Sequence, residues 1–149
     1  MTPSDYPINA NPGPKDVSFL EDRINEFNIA ATGFDDGELL SIFVRDEKGE
    51  ITAGIYGWTW GGACEIRSLW VHENLRGQGI GRDLLARAEA EALRRGCRQI
   101  VLDTHSFQAP DFYQKYGYRV IGIHDDYPRG HQIYYLEKKL TLEEPGSGS

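Results

Sequence analysis

Three glycines and two arginines fall within the seven residues of Arg76–Arg82, which read RGQGIGR. A strand-like run ending in SLWV precedes this segment, and a helix-like run, DLLARAEAEALRRG, follows it. A glycine loop that opens a helix presents free backbone N–H groups at the positive end of the helix dipole, and an anion binds there. Because Gly77, Gly79 and Gly81 lack side chains, a phosphate can approach the main chain closely. The segment therefore predicts a phosphate-binding loop, with a tightly packed glycine turn as the alternative.

Two common phosphate loops do not fit this segment. A nucleotide P-loop requires Gly-x-x-x-x-Gly-Lys-Ser/Thr, and no such lysine is present here. A dinucleotide fingerprint requires Gly-x-Gly-x-x-Gly, and counting from Gly77 places Arg82 where the third glycine would stand. The anion is therefore not expected to be held by either of these motifs.

Aromatic and acidic side chains elsewhere suggest where a second substrate binds. Trp58 and Trp60 alternate with Tyr56 along one strand-like run and share one face, either lining an acceptor pocket or forming an aromatic core stripe. Asp125 and Asp126 lie in the segment HDDYPRGH, where they either bind a cationic acceptor or cap a hairpin.

Composition limits the class of protein. The chain has 149 residues, 40% of them hydrophobic, and a net charge of −7, which suits one globular domain and disfavours nonspecific nucleic-acid binding. It contains no membrane-length apolar run and no signal-peptide pattern. Cys64 and Cys97 form neither a disulfide framework nor a metal-ligand pattern. We expect a soluble, cytoplasmic protein with no metal and no membrane or nucleic-acid partner.

Helix-like and strand-like segments are arranged as a mixed α+β domain. Residues 1–16 hold four prolines and predict an extended N-terminal arm, residues 17–141 form the domain, and residues 142–149 resemble an appended linker. Asp16 or Ser18 is expected to cap the first helix. Periodicity predicts helices over 19–31, 82–95 and 107–116, and strands over 39–45, 51–60, 63–71, 99–103, 118–123 and 132–140.

The order of these elements predicts the sheet. Two successive hairpins join the first three strands into an antiparallel meander, and the last two strands form another hairpin. The helix between strands 63–71 and 99–103 favours a right-handed crossover, which makes these two strands parallel. The fold class is therefore α+β, with a mostly antiparallel sheet and one parallel crossover.

Two motifs give the chain a family resemblance that covers residues 17–140. The segment LWVHENLRGQGIGRDLL resembles the acyl-CoA-binding motif of the GNAT N-acetyltransferase superfamily, Arg/Gln-x-x-Gly-x-Gly/Ala, with Arg76, Gly79 and Gly81 at its fixed positions. The family's second signature, Asn-x-x-Ala-x-x-apolar-Tyr followed by Gly-aromatic, is matched by Ala109, Phe112, Tyr113, Gly117 and Tyr118. Ser106 replaces the usual asparagine, which puts a polar contact to the cofactor arm at that position in question.

The resemblance implies an acetyl-CoA site between the two parallel strands. The strands would part, and the pantetheine arm would bond to backbone along Leu69, Trp70 and Val71. A backbone N–H near Leu69 or Trp70 would stabilise the thioester oxyanion, and Ser106 would face the cofactor. The pyrophosphate would be held by Arg76, Gly77, Gln78, Gly79, Ile80, Gly81 and Arg82.

The resemblance also implies catalytic roles. Tyr113 matches the tyrosine that protonates the departing thiolate, although it is alternatively a core aromatic on an amphipathic helix. Glu65 matches a catalytic glutamate of some members and, by alternation, shares a face with Leu69 and Val71; alternatively it pairs with Arg67 or faces solvent. His72, His105 and a water relay are rival bases.

Three functions remain open at this point. The leading one is an enzyme that transfers acetyl from acetyl-CoA to a primary amine of a small molecule or peptide, with a cationic acceptor favoured by the acidic chain. The second uses a protein lysine or another acyl-CoA. The third is a non-catalytic acyl-CoA sensor. A homodimer through the aromatic C-terminal strand is left open.

Overall fold

The computed structural model of the chain describes residues 6–141 and divides into two compact units, the first ending at Asp35 and the second beginning at Asp36. The predicted linker at 142–149 lies outside the described residues. None of the helices within the described range is both long and apolar enough to cross a bilayer.

The first unit contains one helix, α1, at Pro14–Thr32. It begins five residues before the predicted start at 19, so the extended arm predicted over residues 1–16 is too long. Proline at the first helical position loses no hydrogen bond there, and this is why the helix extends back to Pro14. Gly13 is the N-cap, and its N–H donates to the Asp16 carboxylate at 2.9 Å. The helix ends at Gly33, whose φ of 79° places it in the left-handed region.

The second unit is a six-stranded sheet with helices. Its strand order is β1-β2-β3-β4-β6-β5, and only the β3–β4 pair is parallel. The antiparallel meander, the parallel crossover and the last hairpin are thus confirmed, as is the α+β class. The elements are β1 (Glu38–Arg45), β2 (Ile51–Trp60), β3 (Ala63–Val71), a 3₁₀ turn (Glu73–Leu75), α2 (Ile80–Arg94), β4 (Gln99–His105), α3 (Pro110–Lys115), β5 (Arg119–Asp125) and β6 (Gln132–Lys139).

One face of the sheet forms the core against α2. Helix α2 buries Leu84, Leu85, Ala88 and Ala92 at its predicted apolar positions, and it packs on β1, β2 and β3. Cys64 is a free cysteine in this core, and burial, followed by the nearby thiol of Cys97, raises its pKa to about 12. Both cysteines therefore serve as small apolar core residues.

A β-bulge in β3 changes which side chains face the core. Tyr56 of β2 pairs with Ser68, but the next residue, Gly57, pairs with Ile66, so Arg67 is an extra residue in β3. Alternation therefore reverses across the bulge. Ile66 faces the core before the bulge, and Leu69 and Val71 pack against the core after it. The prediction that Glu65 shares a face with Leu69 and Val71 is consequently wrong.

The parallel strands part just beyond this bulge. Pairing between β3 and β4 ends at Ile66 and Leu102, although β3 continues to Val71 and β4 continues to His105. Past that point each strand is paired on its outer side only, β3 with β2 and β4 with β6. The facing backbone edges therefore keep open hydrogen-bonding positions, as the family resemblance implied.

Gly57→Ala is expected to destabilise the second unit by roughly 3 kcal/mol, because the new Cβ would overlap backbone. A Cβ at Gly57 would lie 2.0 Å from the Glu65 carbonyl oxygen and 2.9 Å from the Cα of Ile66. Gly122→Ala in β5 is the control, since its Cβ would meet only a Tyr135 ring carbon at 3.8 Å. Denaturant unfolding measures both variants, and equal free energies of unfolding for the two would contradict the tight packing at the bulge.

Candidate active site

The glycine loop lies at the start of α2, as predicted. Gly79 is the N-cap, and both it and Gly77 have left-handed backbone, with φ values of 84° and 80°. Left-handed residues turn successive N–H groups toward one side, and at a helix start this forms an anion-binding concavity. The Nε of Arg76 donates to the Val71 carbonyl at 3.0 Å, and this bond ties the loop to the end of β3.

A cleft of about 500 Å³ separates this loop from α3. Two predicted arginines, Arg76 and Arg82, contribute positive charge to it, and Lys115 from α3 adds a third cation that sequence reasoning missed. The cleft is therefore cationic on both sides. It is lined by Leu69, Val71, Leu75, Arg76, Gly77, Gly79, Ile80, Gly81, Arg82, Ala109, Phe112, Tyr113, Lys115 and Tyr116.

A second cavity, of about 410 Å³, lies where the parallel strands part. Leu69, Ala109 and Tyr113 line both this cavity and the cleft, so the two spaces meet at these residues. Trp70, predicted to contact the cofactor, lines the second cavity only. The other lining residues are Ile66, Arg67, Ser68, Leu102, Asp103, Thr104, His105 and Gln108.

Tyr113 packs against two aromatic rings at this junction. Its ring makes edge contacts with Phe112 and Tyr118 at centroid distances of 5.2 and 5.7 Å. Its hydroxyl has no hydrogen-bond partner among residues 6–141. No fully buried polar side-chain atom in that range lacks a partner, so the hydroxyl is not fully buried, and Tyr113 lines both spaces. Burial, followed by the charge of Asp103, raises the pKa of Tyr113 to about 12. The phenol is therefore neutral at physiological pH.

His105 lines the second cavity with its orientation and tautomer fixed. Its Nδ1 lies 3.0 Å from the Tyr127 carbonyl oxygen, and its ring stacks on Phe107 at 5.2 Å. Because a carbonyl only accepts, Nδ1 must donate, and the neutral ring then carries its lone pair on Nε2. His72, the other predicted histidine, lines neither space; its Nδ1 accepts from the Asn74 N–H at 3.1 Å.

Three residues predicted at the catalytic or cofactor site lie outside both spaces. Glu65 sits before the bulge and pairs with Trp58. Ser106 forms two hydrogen bonds with the backbone of Gln132. The Ser106 N–H donates to the Gln132 carbonyl at 2.8 Å, and the Ser106 Oγ accepts from the Gln132 N–H at 3.1 Å. Gln78 places its Nε2 3.5 Å from the Asn74 carbonyl, outside the lining of the cleft.

The predicted acceptor residues are also apart from the second cavity. Trp58 makes an edge contact with Tyr56 at 6.5 Å on the sheet face opposite the core, and Trp60 borders a separate pocket beside α2. Asp125 accepts the Gln132 side-chain amide at 2.7 Å, and Asp126 accepts the Gly130 N–H at 3.1 Å. Both aspartates thus use one carboxylate oxygen to stabilise the β5–β6 connection.

Sequence reasoning missed the charged lining of the second cavity. Asp103 and Arg67 are isolated charges within strand-like runs, and only the parting of the strands brings them to one space. Lys115 carried a usable signal, since it follows Phe112 by three residues on a predicted helix and so shares its face. Within residues 6–141, no group of three or more histidine, cysteine or acidic side chains is arranged to hold a metal ion.

Known proteins that are similar to this chain in sequence and fold are acetyltransferases. A family model described as "Acetyltransferase (GNAT) domain" matches residues 38–120. The chain is 37% identical over 121 residues to acetyltransferase Atu2258 of Agrobacterium fabrum, which covers 81% of the chain and 88% of that protein. It is 39% identical over 107 residues to the blasticidin-S acetyltransferase of Streptomyces morookaense, and this match covers 69% of the chain and 76% of that protein.

A solved structure gives the same result. The crystal structure of an acetyltransferase from Bacillus cereus superposes with a TM-score of 0.78 at 34% identity, covering 90% of this chain and 98% of the other. The matched family model spans β1 to β4, the glycine loop and α3, and all the residues that line the two spaces fall within it. The chain belongs to the GNAT family of acetyl-CoA-dependent N-acetyltransferases.

Proposed function

We propose that the enzyme transfers acetyl from acetyl-CoA, bound in the cleft, to a primary amine of a small molecule or peptide bound in the second cavity. The observation that carries this proposal is that Tyr113 lines both spaces. A thioester reaching the junction from the cleft would meet an amine arriving from the opposite side. The cytoplasmic location and a homodimeric form stay predictions from the sequence.

The donor is held by charge and by open backbone. In our proposal the diphosphate lies against the N–H groups of the Gly77–Gly81 loop, between the guanidinium groups of Arg76 and Arg82. The pantetheine amides bond to the open β3 edge along Leu69, Trp70 and Val71, and the arm enters from the cleft, which Leu69 and Val71 line. The acceptor then takes the part of the second cavity beside Arg67 and Asp103. A free N–H on that edge, at Leu69 or Trp70, is the donor for the thioester oxyanion.

Tyr113 supplies the proton for the leaving group. As the C–N bond forms and the C–S bond breaks, the phenol proton passes to the sulfur, and a proton from the attacking nitrogen restores the phenol. A pKa of about 12 for Tyr113 lies above an ordinary thiol's, so transfer to a free thiolate would be uphill. Coupling the two proton movements removes this barrier, since no phenolate has to accumulate.

His105 is the residue best placed to take the surplus proton of the amine. Its Nε2 carries the lone pair, and its ring lines the second cavity. Glu65 lines neither space, so its predicted role as the base would require a water relay. Asp125 and Asp126 are assigned an outer role, attracting a cationic acceptor with the carboxylate oxygens that the loop does not use.

His105→Asn should lower kcat about tenfold and leave the KM for acetyl-CoA unchanged, because water can partly replace an accessible base. His124→Asn is the matched control. The Nδ1 of His124 lies 3.2 Å from the Asp125 carbonyl oxygen on β5, and the residue lines neither space. Steady-state kinetics with added imidazole makes the test specific, since rescue of the His105 variant alone indicates lost proton transfer. An equal decrease in kcat for both variants would contradict the role.

The whole proposal is tested by binding and turnover together. Isothermal titration calorimetry with acetyl-CoA and other acyl-CoAs measures donor binding, and release of free CoA thiol over a panel of primary amines measures transfer. We expect binding of acetyl-CoA and thiol release with a subset of amines. Binding without turnover on any small amine or peptide would instead support the acyl-CoA sensor.

A further inference from the structure

We propose that the acceptor carries an anionic carboxylate as well as its amine, with Arg67 binding the carboxylate and Asp103 binding the amine as it enters as an ammonium. The acceptor would thus be an amino acid or a similar amino carboxylate. This inference rests on the proposed function, because it describes the acceptor of that same reaction.

Arg67 lines the second cavity. It is the extra residue of the bulge and directly follows Ile66, where the pairing of β3 with β4 ends. Its guanidinium lies 5.8 Å from the ring centroid of Trp58, which supports the cation by its π face. Among residues 6–141 it forms no ion pair, so its planar donors remain available for a carboxylate.

Asp103 supplies the opposite charge from the other strand. It lies on β4 one residue past Leu102, where pairing with β3 ends. Asp103 and Tyr113 line the same cavity, and the charge of Asp103 contributes to the raised pKa of Tyr113. No cation pairs with Asp103 in the described part of the chain.

The two charges line one cavity without forming an ion pair with each other. A space of about 410 Å³ lined by separated opposite charges complements a small molecule that carries both charges. The net charge of −7 favours cations generally, but charges beyond about 10 Å are screened at ordinary ionic strength. The charges that line the cavity therefore determine which acceptor binds.

The test compares amines that carry a carboxylate with the corresponding amides. Glycine and glycinamide, and lysine and lysinamide, are assayed for kcat/KM with saturating acetyl-CoA. We expect the wild type to prefer each acid over its amide by about tenfold or more, the value of a hydrogen bond to a charged group. Arg67→Gln should reduce this ratio to near one while calorimetric binding of acetyl-CoA is retained.

Further variants separate recognition from folding. Arg67→Lys should keep part of the preference, because it retains the charge but not the two-pronged geometry. Asp103→Asn should lower kcat/KM for acid and amide alike. Arg45→Gln, at the far end of β1, is the control and should leave the ratio unchanged.

Two results would overturn the inference. One is a wild type that acetylates amides or polyamines as well as the acids, and the other is an Arg67→Gln variant that keeps the full preference. Either result would leave acetyl transfer itself intact. Failure of the proposed function looks different, because acetyl-CoA would then bind without thiol release on any amine.

Discussion

The Gly79→Val variant is expected to bind acetyl-CoA at least about 100-fold more weakly than the wild type while the sheet remains folded. Gly79 has a φ of 84°, and a β-branched residue is strained there whatever the space around it. A Cβ at this position would also lie 2.9 Å from Nη2 of Arg82, so the guanidinium would have to move. The loop N–H groups and one of the cations would then both leave the position of the diphosphate.

Two matched variants control for strain and for bulk. Gly96→Val, just past the end of α2, introduces the same type of strain at a φ of 87° with no neighbour within 4 Å, and should bind normally. Gly81→Ala tests the third glycine, whose Cβ would meet Phe112 only at an ordinary 3.6 Å. Calorimetry and circular dichroism distinguish the outcomes, and normal binding by a folded Gly79→Val protein would contradict the loop assignment.

The regular elements could be predicted because their patterns are local. Alternating side chains gave the β2 and β3 boundaries, and period-3.6 spacing gave the buried face of α2. The helix caps are less predictable, since a proline indicates a break in a helix, whereas Pro14 stands at a helix start. The glycine loop was recognised because its function needs bare backbone at that junction.

The bulge was the main feature that local pattern could not predict. It depends on the pairing of Gly57 with Ile66 across two strands, and the only trace in the sequence is a glycine inside a strand-like run. Alternation without the bulge puts Glu65 on the same sheet face as Leu69 and Val71. With the bulge, Leu69 and Val71 pack against the core and Glu65 lies on the other face.

The lining of the second cavity was unpredictable for a related reason. Asp103 belongs to no motif, and the sequence offers His105 only as one of several rival bases. The parting of the parallel strands brings both residues to one cavity with Arg67. The residue types of Trp58 and Trp60 suggest an acceptor pocket, but neither residue lines the second cavity.

Tyr113→Phe is expected to lower kcat roughly 100-fold and leave acetyl-CoA affinity nearly unchanged. Phenylalanine keeps the ring contacts with Phe112 and Tyr118, so the position of α3 is preserved. Tyr116→Phe is the matched control: Tyr116 also lines the cleft and contacts Phe112, but it does not line the second cavity. Single-turnover kinetics, which isolates the chemical step, should distinguish the two variants.

The pH dependence separates a proton donor from a packing residue. With a Tyr113 pKa of about 12, the donor stays protonated, so wild-type kcat should not fall between pH 7 and about pH 10 on its account. Because the pKa is raised in the folded state from the ordinary 10.0, the wild type should lose stability as pH rises from about 10 through 12, and Tyr113→Phe should lose less. If the variant shows the reduced alkaline instability but an unchanged kcat, Tyr113 is buried as described yet transfers no proton. Loss of kcat together with that stability difference is the combination that requires the phenol in the reaction.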